Sequence, residues 1–140
     1  MRKTAVTLFA LAASLLVASG PVAAHHSAAM FEDDPAKSLL LAGTVVRWIW
    51  ANPHCLLQFD VKGDDGQTVR WVAETSNPLD MVNRGWSSGS LKTGEEVTVT
   101  VRPARNGKPV GNITQVQFTD GRTLIATGRG NAPAAAPARR

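Results

Sequence analysis

The chain is 140 residues long, 44% hydrophobic, 19% charged and 6% aromatic, with one cysteine and a formal net charge of +4. This length accommodates one small domain, and a single cysteine excludes a scaffold of disulfides within the chain. The Val, Leu and Ile content excludes a collagen-like or wholly disordered chain.

The first 24 residues have the pattern of a cleaved secretory signal peptide. Arg2 and Lys3 form a basic start, residues 5–17 form an apolar run, and small residues precede a cleavage site after Ala24. The run of 13 residues is shorter than the roughly 20 that a membrane-spanning helix needs. We therefore expect an exported protein, periplasmic or secreted in a bacterial envelope, with no membrane span.

The positive charge lies at the two ends of the chain. Residues 25–128 contain ten Lys or Arg and eleven Asp or Glu, so the expected core is nearly neutral. This balance gives no support for a nucleic-acid partner. Residues 128–140 are rich in Ala, Pro and Arg, a composition that predicts a disordered tail.

Between the signal and the first strand lies a predicted N-terminal arm, residues 25–38. Met30 and Phe31 are the apolar pair of this arm that can dock on a core. From Leu39 to Trp50, branched and aromatic residues predict a first strand. Gly43 within that strand suggests a bulge or a sharp bend.

The next segment predicts a β-hairpin. Apolar residues alternate over 54–62, which indicates a second strand with Cys55 on its inward face. Glycines and aspartates at 63–66 form the turn, and a third strand follows over 68–75. A buried free cysteine acts as a small hydrophobe, although pairing with a thiol of another chain is an alternative.

A short helix is predicted after the third strand, with Asn77 as its cap, Pro78 at its first position and Gly85 at its end. Its apolar positions, expected to face one side, are Leu79, Met81 and Val82. Two further strands follow over 95–103 and 112–119, with a short last strand through Ile125.

This order of elements predicts an all-β domain with one short helix, over residues 39–127. Five strands with a single helix between the third and fourth are the order of a small OB-type Greek-key barrel. Closure of such a barrel removes exposed strand edges. A β-sandwich is the alternative architecture, because the spatial order of strands is not visible in sequence.

Several short motifs extend along almost the whole predicted mature chain. They are Ala24-His25-His26-Ser27, Gly43-Thr44-Val45, Trp50-Ala51-Asn52-Pro53-His54, Glu74 before Asn77-Pro78, Arg84-Gly85-Trp86 and residues 91–99. In these motifs the chain resembles an uncharacterised family of small exported bacterial proteins, known only as a domain of unknown function. The resemblance implies an exported β-rich single domain and no established activity. Cys55 departs from it, since a non-thiol residue is expected at that position.

The three histidines of the chain are candidate metal ligands. Cleavage after Ala24 would make His25 the first residue, so that its α-amine and ring could chelate one ion, with a further imidazole from His26 or His54. Cleavage one residue earlier would leave a histidine third, as in peptide chelators of copper or nickel. Such nitrogen ligands favour Cu(II). The alternatives are that His25 and His26 are polar residues at a loose terminus, and that the His54 ring bonds a turn carbonyl.

Tryptophans give a second hypothesis, because indole faces can stack on a ligand. Trp48, Trp50 and Trp86, with Glu74, are the candidate ligand-binding residues, whereas Trp71 alternates with core positions. Packing in the core is the alternative for the tryptophans, and an ion pair with Arg70 is the alternative for Glu74.

No catalytic motif, phosphate loop or dinucleotide fingerprint is present. The sequence therefore predicts an exported, non-enzymatic binding protein whose partner is a metal ion, with copper favoured. The alternative is a barrel that binds a small envelope ligand or another protein through exposed tryptophans, without metal.

Overall fold

The computed structural model describes residues 30–127. The predicted signal peptide (1–24), His25, His26 and the predicted tail (128–140) lie outside the described residues. The described part has six strands and one short α-helix: β1 (Leu39–Ile49), β2 (Leu56–Lys62), β3 (Thr68–Glu74), α1 (Pro78–Asn83), β4 (Glu96–Pro103), β5 (Val110–Phe118) and β6 (Thr123–Ile125). A short 3-10 turn, Pro35–Lys37, precedes β1.

The strands form one sheet that closes on itself. Its order is β3-β2-β1-β4-β5-β6, with antiparallel neighbours, and β3 also pairs with β5 in parallel. This last pairing closes β1 to β5 into a five-stranded barrel, while β6 adds to β5 beyond the closure. The predicted OB-like barrel is confirmed, and the sandwich alternative is wrong because a single closed sheet surrounds the core.

Alternation along the strands places one set of side chains inside the barrel. Buried residues of β2, β4 and β5 alternate with partly exposed ones, as the pleat of a strand requires. Cys55 lies just before β2 and is fully buried, as predicted. The largest fully buried side chains are those of Trp86, Phe59, Leu57, Met81 and Ile113.

β1 carries one bulge, and it is not at Gly43. The register of β1 against β2 shifts between Val45 and Arg47, so the extra residue is Val46. Gly43 has a different role, since a Cβ there would lie 2.6 Å from the carbonyl oxygen of Asp60 and 2.9 Å from the ring of Phe59. The glycine therefore permits a close approach of β1 to β2.

The helix is capped as predicted. Asn77 Oδ1 accepts a hydrogen bond of 3.0 Å from the amide of Asp80, Pro78 begins the helix, and Gly85 follows it with a φ of +82°. Of the three apolar positions predicted to face one side, only Met81 is buried, whereas Leu79 and Val82 are exposed. Leu79 and Val82 are three residues apart and share a face that Met81 does not. Within residues 30–127, no helix is long and apolar enough to cross a membrane.

The arm from Met30 docks at the end of β4. Phe31 is buried and forms an isolated antiparallel bridge with Ala104. The amide of Glu32 donates to Pro103 O, and the amide of Arg105 donates to Met30 O, both at 2.9 Å. Met30 itself is 48% exposed, so Phe31 alone of the predicted apolar pair anchors the arm.

Candidate functional site

A cavity of about 330 Å³ lies where two neighbours of β5 diverge. β5 pairs with β3 through residues 110–112 and with β6 through residues 115–117. β3 and β6 therefore lie along the same edge of β5, and their ends face each other there. The lining residues are Phe31, His54, Glu74, Thr75, Ser76, Asp80, Arg84, Arg102, Asn112, Ile113, Ala126 and Thr127.

His54 is held in this cavity by a backbone carbonyl. Its Nδ1 lies 2.9 Å from the oxygen of Thr75. A carbonyl oxygen can only accept, so Nδ1 carries the hydrogen, and in the neutral ring Nε2 keeps its lone pair. This bond to a carbonyl was the non-metal alternative from the sequence, and it is present. It is also the arrangement that orients metal-binding imidazoles.

A polar row crosses three strands at the cavity wall. Arg102 Nη2 donates to Asn112 Oδ1 at 3.0 Å, and Asn112 Nδ2 donates to the backbone oxygen of Glu74 at 3.3 Å. Arg102 and Asn112 are direct partners across β4 and β5, and Asn112 and Glu74 are partners across β5 and β3. The row therefore depends on the parallel pairing that closes the barrel.

The side chain of Arg70 pairs with Asp60, and not with Glu74 as the alternative from the sequence had it. The Arg70 guanidinium donates twice to the Asp60 carboxylate, at 2.7 and 2.9 Å, since the two residues are direct partners across β2 and β3. This hydrogen bonding lowers the pKa of Asp60. Glu74 lines the cavity instead, at the end of β3.

The helix contributes an ion pair to the cavity. Arg84 and Asp80, one turn apart on α1, approach to 3.1 Å. The side chain of Ser76 and then the guanidinium of Arg84 hold the pKa of Asp80 below its ordinary value. Asp80 therefore stays ionised, with its charge balanced inside the cavity.

Cys55 does not join His54 in the cavity. Its side chain is fully buried in the core, and burial raises the pKa of the thiol. The neighbouring residues face opposite sides of the chain, as the sequence indicated. Pairing of this thiol with another chain would require the barrel to open.

Three of the four tryptophans form a packed cluster. The ring centroid of Trp48 lies 5.8 Å from that of Trp50 and 5.6 Å from that of Trp86. Trp48 Nε1 donates to Ser87 O at 3.0 Å, and Trp86 Nε1 donates to Ile125 O at 2.9 Å. Trp86 is only 2% exposed, so burial takes it out of reach of a ligand. Trp48 and Trp50 are partly buried against the core.

A larger depression of about 630 Å³ lies over β1, β2, β4 and β5. It is lined near Gly43, Asp60 and Phe118 and contains none of the residues predicted for a site. The cavity with His54 and Glu74 is therefore the one that joins predicted site residues from different elements.

Sequence reasoning missed Arg102 and Asn112. Each faces outward on a strand and belongs to no motif, and they meet Glu74 only through the closure between β3 and β5. Phe31 was predicted as an anchor, but its place in the same cavity as His54 could not be predicted from the sequence.

The fold and the cavity define a small closed OB-like β-barrel with a depression between the ends of β3 and β6. Residues 12–117 match a family described as a family of unknown function (DUF6152), and the chain belongs to that family. This confirms the resemblance to an uncharacterised domain. No curated protein and no solved structure matches the chain significantly.

Proposed function

We propose that this is an exported copper-binding protein in which His25 and His26 join His54 around one ion. The observation that carries the proposal is the hydrogen bond between His54 Nδ1 and Thr75 O, in a cavity that Phe31 also lines. That bond fixes the tautomer in which Nε2 can bind a metal. The proposal includes cleavage at the predicted signal site.

The chain is short between Phe31 and the other two proposed ligands. Phe31 is buried at the cavity, and His26 precedes it by five residues. Five residues span at most about 18 Å when fully extended. An imidazole from this segment can therefore approach His54 without moving the anchor.

The barrel supplies only part of a complete site. Within residues 30–127, no group of three or more His, Cys, Asp or Glu side chains is placed to hold a metal ion. The proposal therefore takes the further ligands from outside this range, where His25 and His26, the two other histidines of the chain, lie. Imidazoles with an amine bind Cu(II) more tightly than the other common divalent ions of the first transition row.

The test is a Cu(II) titration of the exported, processed chain, whose first residue is established by mass spectrometry. We expect one copper per chain, with nitrogen hyperfine structure in the electron paramagnetic resonance spectrum. His54→Ala should weaken binding by more than tenfold, equivalent to about 1.4 kcal/mol, and remove one nitrogen ligand. Asp65→Asn, which alters a carboxylate of the β2–β3 turn, is the matched control and should bind as the wild type does.

Two results would contradict the proposal. If copper binds the double variant His25→Ala, His26→Ala as tightly as it binds the wild type, the N-terminal histidines are not ligands. If only the double variant loses copper and His54→Ala does not, the ion is held by a terminal peptide and the barrel has no part in it.

A further inference from the structure

The same cavity contains a second feature that copper binding does not use, the guanidinium of Arg102. We infer that this group binds the carboxylate of a small organic monoanion. The inference is independent of the copper proposal, because its ligand is an anion and the residue that binds it is Arg102, not His54.

Arg102 is incompletely partnered. Its Nη2 donates to Asn112 Oδ1, but its Nε–H is buried and has no acceptor within the described part of the chain. None of the ion pairs among residues 30–127 involves Arg102. A buried donor without an acceptor is costly, and an arginine fork fits a planar carboxylate.

The two carboxylates that line the cavity, those of Glu74 and Asp80, form no ion pair with Arg102. Asp80 is already bound to Arg84, and Asn112 is neutral. The Asn112 amide also fixes the guanidinium, since its Nδ2 is tied to the backbone of Glu74. Arg102 is therefore a positioned cation with one buried N–H, at Nε, that has no acceptor within the described part of the chain.

The rest of the lining selects the kind of anion. Phe31, Ile113 and Ala126 give the cavity an apolar side, which suits the hydrocarbon part of an organic acid. Inorganic phosphate has no hydrocarbon part to place against this side, so it gains less from the cavity than a small organic acid does. The volume of about 330 Å³ is near the lower limit of small-molecule sites, so the ligand is small.

The test uses butyrate as the probe, with butyramide as its neutral isostere and inorganic phosphate as the competing anion. The full exported chain, labelled with ¹⁵N and kept in a metal chelator, is titrated at constant ionic strength. We expect saturable shifts of the Arg102 Nε–H signal and of the Asn112 and Ile113 amides, with a Kd of about 1 mM or tighter. Butyramide and phosphate should bind at least tenfold more weakly.

Arg102→Met keeps the aliphatic stem and should lose butyrate binding at least tenfold. Arg47→Met, which removes an exposed arginine that does not line the cavity, should bind as the wild type does. Arg102→Lys keeps the charge without the Nε–H and should also bind more weakly. This variant provides the test if the methionine variant fails to fold.

The inference is overturned if shifts do not saturate, if butyramide or phosphate binds equally well, or if folded Arg102 variants retain full affinity. The chelator keeps this outcome separate from that of the copper proposal.

Discussion

At position 43, a hydrogen atom in place of a side chain lets β1 lie against β2. Gly43 is the direct partner of Val61 in that pair of strands. A Cβ would meet the backbone oxygen of Asp60 at 2.6 Å, closer than real Cβ contacts come. A backbone oxygen in a strand ladder cannot move aside as a flexible side chain can. Changes of side-chain rotamer would therefore not relieve this contact, and position 43 requires glycine.

We therefore predict that Gly43→Ala lowers the free energy of unfolding by about 1–3 kcal/mol, the usual cost of overpacking. Gly89→Ala is the matched control, because its Cβ would have only the Ser87 hydroxyl nearby, at 3.8 Å. That variant should change stability by less than about 0.5 kcal/mol. Urea unfolding followed by tryptophan fluorescence measures both, and equal stabilities of the two variants would show that β1 and β2 separate at no cost.

Among the elements, those with local signals could be predicted from sequence. Alternation gave the strands, and Asn77, Pro78 and Gly85 gave the helix with its cap and its end. The cavity could not be predicted in this way. Arg102, Asn112 and Glu74 come from three strands, and the parallel register that joins them involves residues far apart in the chain.

The sequence predicted the arm and its apolar pair, but not the residues that the arm contacts. Arg105 fastens it, since its Nε donates to Phe31 O at 3.0 Å and its Nη2 to the Asp33 carboxylate at 2.7 Å. The surface ion pair adds little. Burial of the Phe31 ring, worth roughly 1.5–3 kcal/mol, is the main term that holds the arm against the end of β4.

We predict that Phe31→Ala releases the arm while the barrel stays folded. The amides of Glu32 and Arg105, which bond to the facing backbone, should lose their protection from hydrogen exchange, while amides between β1 and β4 keep it. Under the proposed function, copper binding should weaken as well. Met30→Ala, at a largely exposed position, should have little effect on either. Continued protection of Glu32 in the Phe31 variant would mean that backbone pairing alone holds the arm.

For the whole molecule, the point of closure determines how the barrel opens. β3 and β5 share only three partner pairs, whereas the other neighbours within the barrel pair over six or more residues. Cys55 lies beside this closure, and its backbone bonds to Thr75 and Ser76 at the end of β3. Its thiol is fully buried, so its reactivity shows whether the barrel opens locally at this shortest pairing or only by global unfolding.

Cys55 should react with a thiol reagent only when the barrel opens. Burial raises the pKa of the thiol and disfavours the reactive thiolate, and access requires unfolding. At about pH 8 we expect labelling at least about a thousandfold slower than in the unfolded chain, since small domains are stable by 5 kcal/mol or more. Labelling should accelerate with urea as steeply as global unfolding does. Fast, urea-independent labelling would instead reveal local separation of β3 from β5.

The same raised pKa predicts how stability depends on pH. A buried neutral thiol contributes stability that is fully present below the unfolded-state pKa of about 8.5. That contribution is lost as the pH rises toward the higher pKa of the folded state, because the unfolded chain releases its proton first. Between about pH 8 and pH 10 the wild type should therefore lose more stability than Cys55→Ala, which has no thiol to titrate. Urea unfolding of both chains at each pH measures the difference, and parallel curves would show that the Cys55 thiol titrates in the folded barrel as it does in the open chain.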